Sequence, residues 1–198
     1  DAGMRIYGNA SRATSRAKHN MRIVFRSSYG PARLEFPLFG GDAEPDRVNS
    51  LLLRGQNGDS WFHPNGQQRR RAQYIRDQWH RDTQLAMGHL TTHQVYMHLY
   101  VNGLYWGVYH NFERASAPFL AAHLGGEPEE YDALNLAVPV DGDLEAWEEL
   151  KAIARAGVET PAGYARIQEY LDVPGLIDYL LINFYSGNVD WDGNNWYA

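Results

Sequence analysis

Hydrophobic and polar positions alternate in the first half of this chain and recur at helical spacing in the second. After a polar stretch rich in Gly, Asn, Ser and Arg, from Met4 to about Asn20, the residues Met21, Ile23 and Phe25 share one face of an alternating strand. A second strand is expected at Val48 to Leu53, ended by the turn-forming run RGQNGDSW. From about Gln67 to Met87 the spacing predicts one long helix, with Ala72, Ile75, Trp79 and Ala86 on a stripe and Gly88 as its C-cap. Its outer face carries Arg69, Arg70, Arg71, Arg76 and Arg81, the composition of a solvated helix face. Two alternating runs then flank Asn102-Gly103, the favoured pair for a type I′ hairpin turn. Val95, Met97, Leu99 and Val101 face one way on the first, and Trp106, Val108 and Phe112 lie on the returning strand.

Beyond the hairpin, the pattern predicts a short helix at Pro118 to Leu124 closed by Gly125-Gly126, a strand at Asp132 to Val138, and then mostly helix. The helix at Leu144 to Ala156 turns Trp147, Leu150, Ile153 and Ala154 inward and stops at Gly157. The last helix starts at Asp172 as N-cap with Pro174 in its first turn, and LIDYLLINFY is apolar nearly all round, the pattern of a core helix. It leads into GNVDWDGNNWYA. Strands first and helices second give an α+β class, with a lobe boundary around Phe112 to Ala117.

At 198 residues with 44% hydrophobic content the chain can bury a core, and its formal net charge of −6 speaks against nucleic acid or an anionic membrane as main partner. The absence of cysteine excludes disulfides, thiolate metal sites and a Cys nucleophile, and no run of about 18 apolar residues could span a bilayer. Of the 18 basic residues only Lys18 and Lys151 are lysine, so each lysine asks for its own explanation. The eight His do not suggest zinc: His89 and His93 have helical pair spacing, but a strand follows directly and no H-E-x-x-H motif is present.

The terminal run holds Asp190 and Asn195 in D-x-x-x-x-N spacing, that of a protein-kinase catalytic loop, where the Asp accepts the substrate hydroxyl proton and the Asn holds a metal ion. The His-Arg that precedes such a loop is not present. Several motifs in order, GNASR at Gly8 to Arg12 with Lys18 following, LLLRG at 51 to 55, YIRDQ at 74 to 78, LYVNGLYWGVYHNFER at 99 to 114 and GNVDWDGNNWY at 187 to 197, resemble the CotH (spore coat protein H) kinases. The resemblance runs end to end. It implies an atypical two-lobed protein-kinase-like fold: residues 1–114 as a β-rich N-lobe with phosphate loop and inserted helix, residues 115–198 as a partial helical C-lobe.

The same resemblance implies an ATP-dependent kinase using Mg²⁺, with Mn²⁺ as alternative, that phosphorylates Ser/Thr hydroxyls of protein substrates, itself included. Asp190 would be catalytic and Asn195 a metal ligand, while Gly8, Ser11, Arg12 and Lys18 would hold the phosphates. Asp77 would steady Lys18, although Arg76 could neutralise it instead. Glu113 would meet the nucleotide, or form a salt bridge with Arg114. For Gly8, Ser11 and Lys18 the plain alternative is a polar loop and a solvated lysine. A further metal-binding Asp is expected downstream of Ala198, which makes this chain a C-terminally truncated piece in that reading, exported, periplasmic, on the cell surface or in a spore coat by resemblance alone. Two rival readings stand beside it. Asp190, Asp192 and Asn194 at every second position look like the start of a calcium loop, though Asn195 stands where that loop needs Gly. A glycan- or peptide-binding module could use the six Trp and 13 Tyr, of which Trp61 looks exposed.

Overall fold

The computed structural model describes residues 1–40, 48–55 and 58–198, so Gln56 and Asn57 of the expected turn lie outside the described residues. Two compact units emerge: Asp1–Asp82 with Thr91–Arg114, and Thr83–Leu90 with Ala115–Ala198. The chain is α+β, with an antiparallel sheet and six α-helices among the described residues.

The first unit is built on five antiparallel strands, β1 (Gly3–Tyr7), β2 (Asn20–Val24), β3 (Ser50–Arg54), β4 (Gln94–Val101) and β5 (Leu104–Glu113), in the order β1-β2-β3-β5-β4. Strand β1 replaces the start of the expected loop; Met4 and Ile6 stay exposed on this edge, so no buried face marks it in the sequence. In the centre, Leu51, Leu52 and Leu53 are all buried, because both faces of β3 are covered. On one face Met21, Leu53 and Tyr109 form the core, with Ile23, Met97 and Leu99 packed against them. The β4–β5 turn is the expected one, with φ +52° at Asn102 and +79° at Gly103. Trp106 is half exposed because Leu99 pairs with Gly107 and Tyr100 with Tyr105, which leaves Trp106 as the extra residue of a bulge.

The long helix expected from Gln67 to Met87 is instead two, α1 (Gly66–Arg71) and α2 (Arg76–Ala86). Ala72 is extended and Tyr74 has φ +68°. No Gly or Pro marks this break; a buried acid does. The Asp59 carboxylate accepts from Gln73 N at 2.7 Å and Arg76 N at 3.3 Å, taking up amides that a continuous helix would bond to its own carbonyls. The expected apolar stripe is also not the packing face, since Ile75 and Trp79 are exposed. What α2 turns to the sheet is polar: Asp77 pairs with Arg54, Gln78 Oε1 lies 2.9 Å from His110 Nε2, and Arg81 reaches Thr92 and stacks over Phe112.

The second unit contains α3 (Ala117–Leu124), strands β6 (Ala133–Asn135) and β7 (Val138–Asp141), and helices α4 (Glu145–Ala156), α5 (Pro161–Ile167) and α6 (Val173–Tyr185). The single strand expected at Asp132 to Val138 is a hairpin, turned at Leu136 and Ala137 with φ +55° and +58°; neither is a customary turn residue, so composition concealed it. In α4, Trp147, Leu150 and Ile153 are half-buried while Ala154 is exposed. Asp172 caps α6 by accepting from Gly175 N at 3.1 Å. The expected burial of α6 is not met: Ile182 and Asn183 are buried, but Leu181, Phe184 and Tyr185 are 54%, 65% and 85% exposed. Ile182 and Asn183 are the residues of this helix that are buried.

Candidate functional site

The loop after β1 closes in a 3₁₀ turn, Ala10–Arg12. Gly8 has φ +94°, and a Cβ there would stand 2.7 Å from Ser11 Oγ, so glycine is required on both counts. Ser11 is buried and its hydroxyl donates to the Tyr7 carbonyl, while its own carbonyl meets the His19 ring. Its single O–H is thus committed to the backbone, and Arg12 is exposed.

Lys18 is the better-built cation. Its Nζ donates to Tyr74 Oη at 3.0 Å and to the Val108 carbonyl, and lies 4.3 Å from the centroid of the Tyr109 ring. Burial pushes its pKa down to about 8. Gly107 lies beside it with φ +111°, a conformation that favours glycine, and a Cβ there would stand in ordinary van der Waals contact with Nζ at 3.5 Å. These contacts are neutral, and among the described residues the lysine is neither a solvated strand-edge charge nor half of an ion pair.

Asp77 pairs with Arg54 at the end of β3, and Arg76 with Asp59 at 3.4 Å. The acid expected to steady Lys18 therefore serves a different cation. Burial alone would raise the Asp77 pKa, but Arg54, then Arg81, His110 and His80, outweigh it and hold the carboxyl below its ordinary value. Beside it, burial drives His110 down to about 4, and its ring stacks on Tyr96 at 4.4 Å. Glu113 is buried at the end of β5 and accepts from His93 N at 2.9 Å, with His93 Nδ1 at 3.0 Å.

In the second unit, α6 delivers the terminal loop through Asn183. This side chain is fully buried; Nδ2 donates to the Tyr179 carbonyl at 2.8 Å, and Oδ1 accepts from Asn188 Nδ2 at 2.7 Å. Asn188 Oδ1 in turn accepts from Asp190 N at 3.1 Å. The Asp190 carboxylate is then held from the other side. Asn194 Nδ2 donates to Oδ1 at 3.1 Å, while Asn195 Nδ2 donates to Oδ2 at 3.0 Å and to the Asp190 carbonyl at 2.8 Å. Asn195 has φ +62°, a left-handed conformation that Asn tolerates better than most residues. Trp191 packs edge-on to Tyr179 and Phe184, and Trp196 lies 5.4 Å from Trp147. The chain end pairs with β6: Leu134 N donates to Ala198 O at 2.7 Å and Ala198 N to Leu134 O at 3.1 Å. The structure thus brings Asp190 and Asn195 into direct contact. Sequence reading missed Asn183 and Asn188, although a lone Asn in the apolar run LLINFY was a signal.

These parts define an α+β protein that carries a D-x-x-x-x-N loop of kinase spacing with its Asp clamped by its Asn. The family model described as CotH kinase protein matches residues 8–198. The chain belongs to the CotH kinase family, and a kinase-like function follows at that level. A comparison with curated proteins gave no significant match.

Proposed function

We propose that this chain is an ATP-dependent protein kinase of the CotH type, transferring the γ-phosphate to a Ser or Thr hydroxyl. The observation that carries the reading is the exposed Asp190 carboxylate held by the amides of Asn194 and Asn195. A base for a hydroxyl proton must be fixed in direction before substrate arrives, and two amide donors fix it while leaving each oxygen a lone pair for the incoming O–H. Asn195 spends both amide hydrogens on Asp190, so its carbonyl Oδ1 remains as a hard oxygen donor suited to magnesium. Magnesium-ATP, when bound, supplies the phosphoryl group and the neutralisation of its charge. Lys18 suits the phosphates because its hydrogen-bond partners among the described residues, Tyr74 Oη and the Val108 carbonyl, are neutral, so no carboxylate among them has to be displaced. Glu113, firmly held by His93, is assigned to the nucleotide's sugar or base.

The calcium reading has less support. A calcium loop turns oxygens inward together, whereas both Asp190 oxygens take amide N–H groups and Asp192 Oδ1 accepts from Gly193 N.

The test is to incubate the protein as encoded in its gene with radiolabelled ATP and magnesium. Incorporation into protein that falls about 10²- to 10⁴-fold in Asp190→Asn, with an unchanged melting temperature, supports the reading. Equal incorporation by the variant sinks it.

A further inference from the structure

In the first unit a small cavity lies between the segment before β2 and the segment after β3, lined by Arg16, Lys18, Gly55, Ser60, Phe62 and His63. Its interior is about 10 Å³, room for one water-sized oxygen. Among the described residues the lining contains two cations and no carboxylate. His63 Nδ1 accepts from Asn65 N at 3.1 Å, which leaves the proton of its neutral ring on Nε2, so this side chain too is a donor. Arg16 Nη1 is shut off from solvent with no hydrogen-bond partner among the described residues. A guanidinium nitrogen left so is costly, because it has lost water without gaining an acceptor. What this wall lacks is an anionic oxygen.

We propose that this cavity is an anion site that takes one terminal oxygen of a phosphate, with Arg16 as its second cation beside Lys18. The GNASR loop is the weaker claimant, since Ser11 gives its proton to Tyr7 and Arg12 projects outward. A planar fork and a point charge on one phosphate are complementary: Arg16 sets direction and Lys18 adds compact charge. The depressed pKa of Lys18 fits, because a half-buried ammonium with only neutral partners among the described residues is relieved when an anion arrives. Taking that phosphate to be part of a nucleoside triphosphate rests on the kinase reading above; the anion site itself does not.

The experiment titrates inorganic pyrophosphate into the protein by calorimetry, in the wild type and in Arg16→Gln, Arg12→Gln and Gly55→Ala, each checked for folding by circular dichroism. Expected is measurable binding by the wild type, about ten- to a hundred-fold weaker in Arg16→Gln and nearly unchanged in Arg12→Gln. Gly55→Ala sets a methyl 3.0 Å from Lys18 Cγ and should also weaken binding, which keeps the test open if Arg16→Gln fails to fold. Wild-type binding that Arg16→Gln and Gly55→Ala leave intact, or no binding by the wild type, overturns the proposal. Asp190→Asn should bind pyrophosphate normally. Loss of binding confined to Arg16→Gln and Gly55→Ala therefore supports the anion site whether or not phosphate transfer is observed.

Discussion

Lys18 and Asp190 are held in opposite ways. Lys18 owes its position to Tyr74, Val108 and Tyr109, residues 56 or more positions away that meet only because β5 lies inside the sheet and the chain breaks between α1 and α2. Asp190 is held by Asn188, Asn194 and Asn195, all within five positions, on a loop tied to the end of α6 by Asn183. A short-range cradle survives so long as its own helix end is intact. A long-range one depends on the whole sheet, and can therefore be disturbed from far away.

The largest expected effect tests the local cradle. Asn183→Leu keeps the branching of the side chain but leaves Asn188 Nδ2 without its acceptor and takes the second donor from the Tyr179 carbonyl, at a cost of about 1–3 kcal/mol in urea unfolding. Phosphate transfer should fall with it while pyrophosphate affinity stays unchanged. Normal transfer in this variant would mean that the loop does not rely on α6.

The second prediction concerns the polar layer under α2. His110 has its pKa lowered to about 4 from 6.5, so between those values the unfolded chain binds the extra proton and the folded one does not. Stability should fall as pH drops from about 6.5 to about 4, and His110→Gln should flatten that limb in urea midpoints measured across the range. Asp77, with its pKa held below 3.8, contributes stability that is present above that value and lost as pH falls further, so Asp77→Asn should change only the most acid part of the curve. A pH-independent midpoint in the wild type would remove this layer from the account.

The smallest effect is at the long-range cradle. Tyr74→Phe removes the hydroxyl that meets Lys18 at 3.0 Å and Gly55 O at 3.3 Å, for about 0.5–1.5 kcal/mol. It should weaken pyrophosphate binding slightly and leave the behaviour of Asp190→Asn unaltered. A larger loss in transfer than in anion binding would contradict the separation of the two cradles.

What could be read from the chain follows the same division. The β4–β5 hairpin was legible because Asn102-Gly103 encodes its own turn, and Asp190 with Asn195 because their partners are neighbours in sequence. The break after α1 was not, since its cause, Asp59, lies well upstream of the helix it interrupts. Nor was the partner of Asp77, because Arg54 on β3 and Asp77 on α2 meet through the packing of helix on sheet. The apolar pattern of α6 misled for a related reason: hydrophobicity states what a helix could bury, not what is there to cover it.

The sequence by itself determined the strand-then-helix order, the hairpin turn, the caps at Asp172 and Gly157, and the pairing of Asp190 with Asn195, all of which rest on interactions across a few residues. Tertiary structure alone decided that Lys18 stands among neutral partners, that Asp77 serves Arg54, and that Arg16 shares a wall with Lys18. The physical reason is that burial and electrostatic partnership depend on which strands and helices become neighbours, and no local spacing in the chain encodes that.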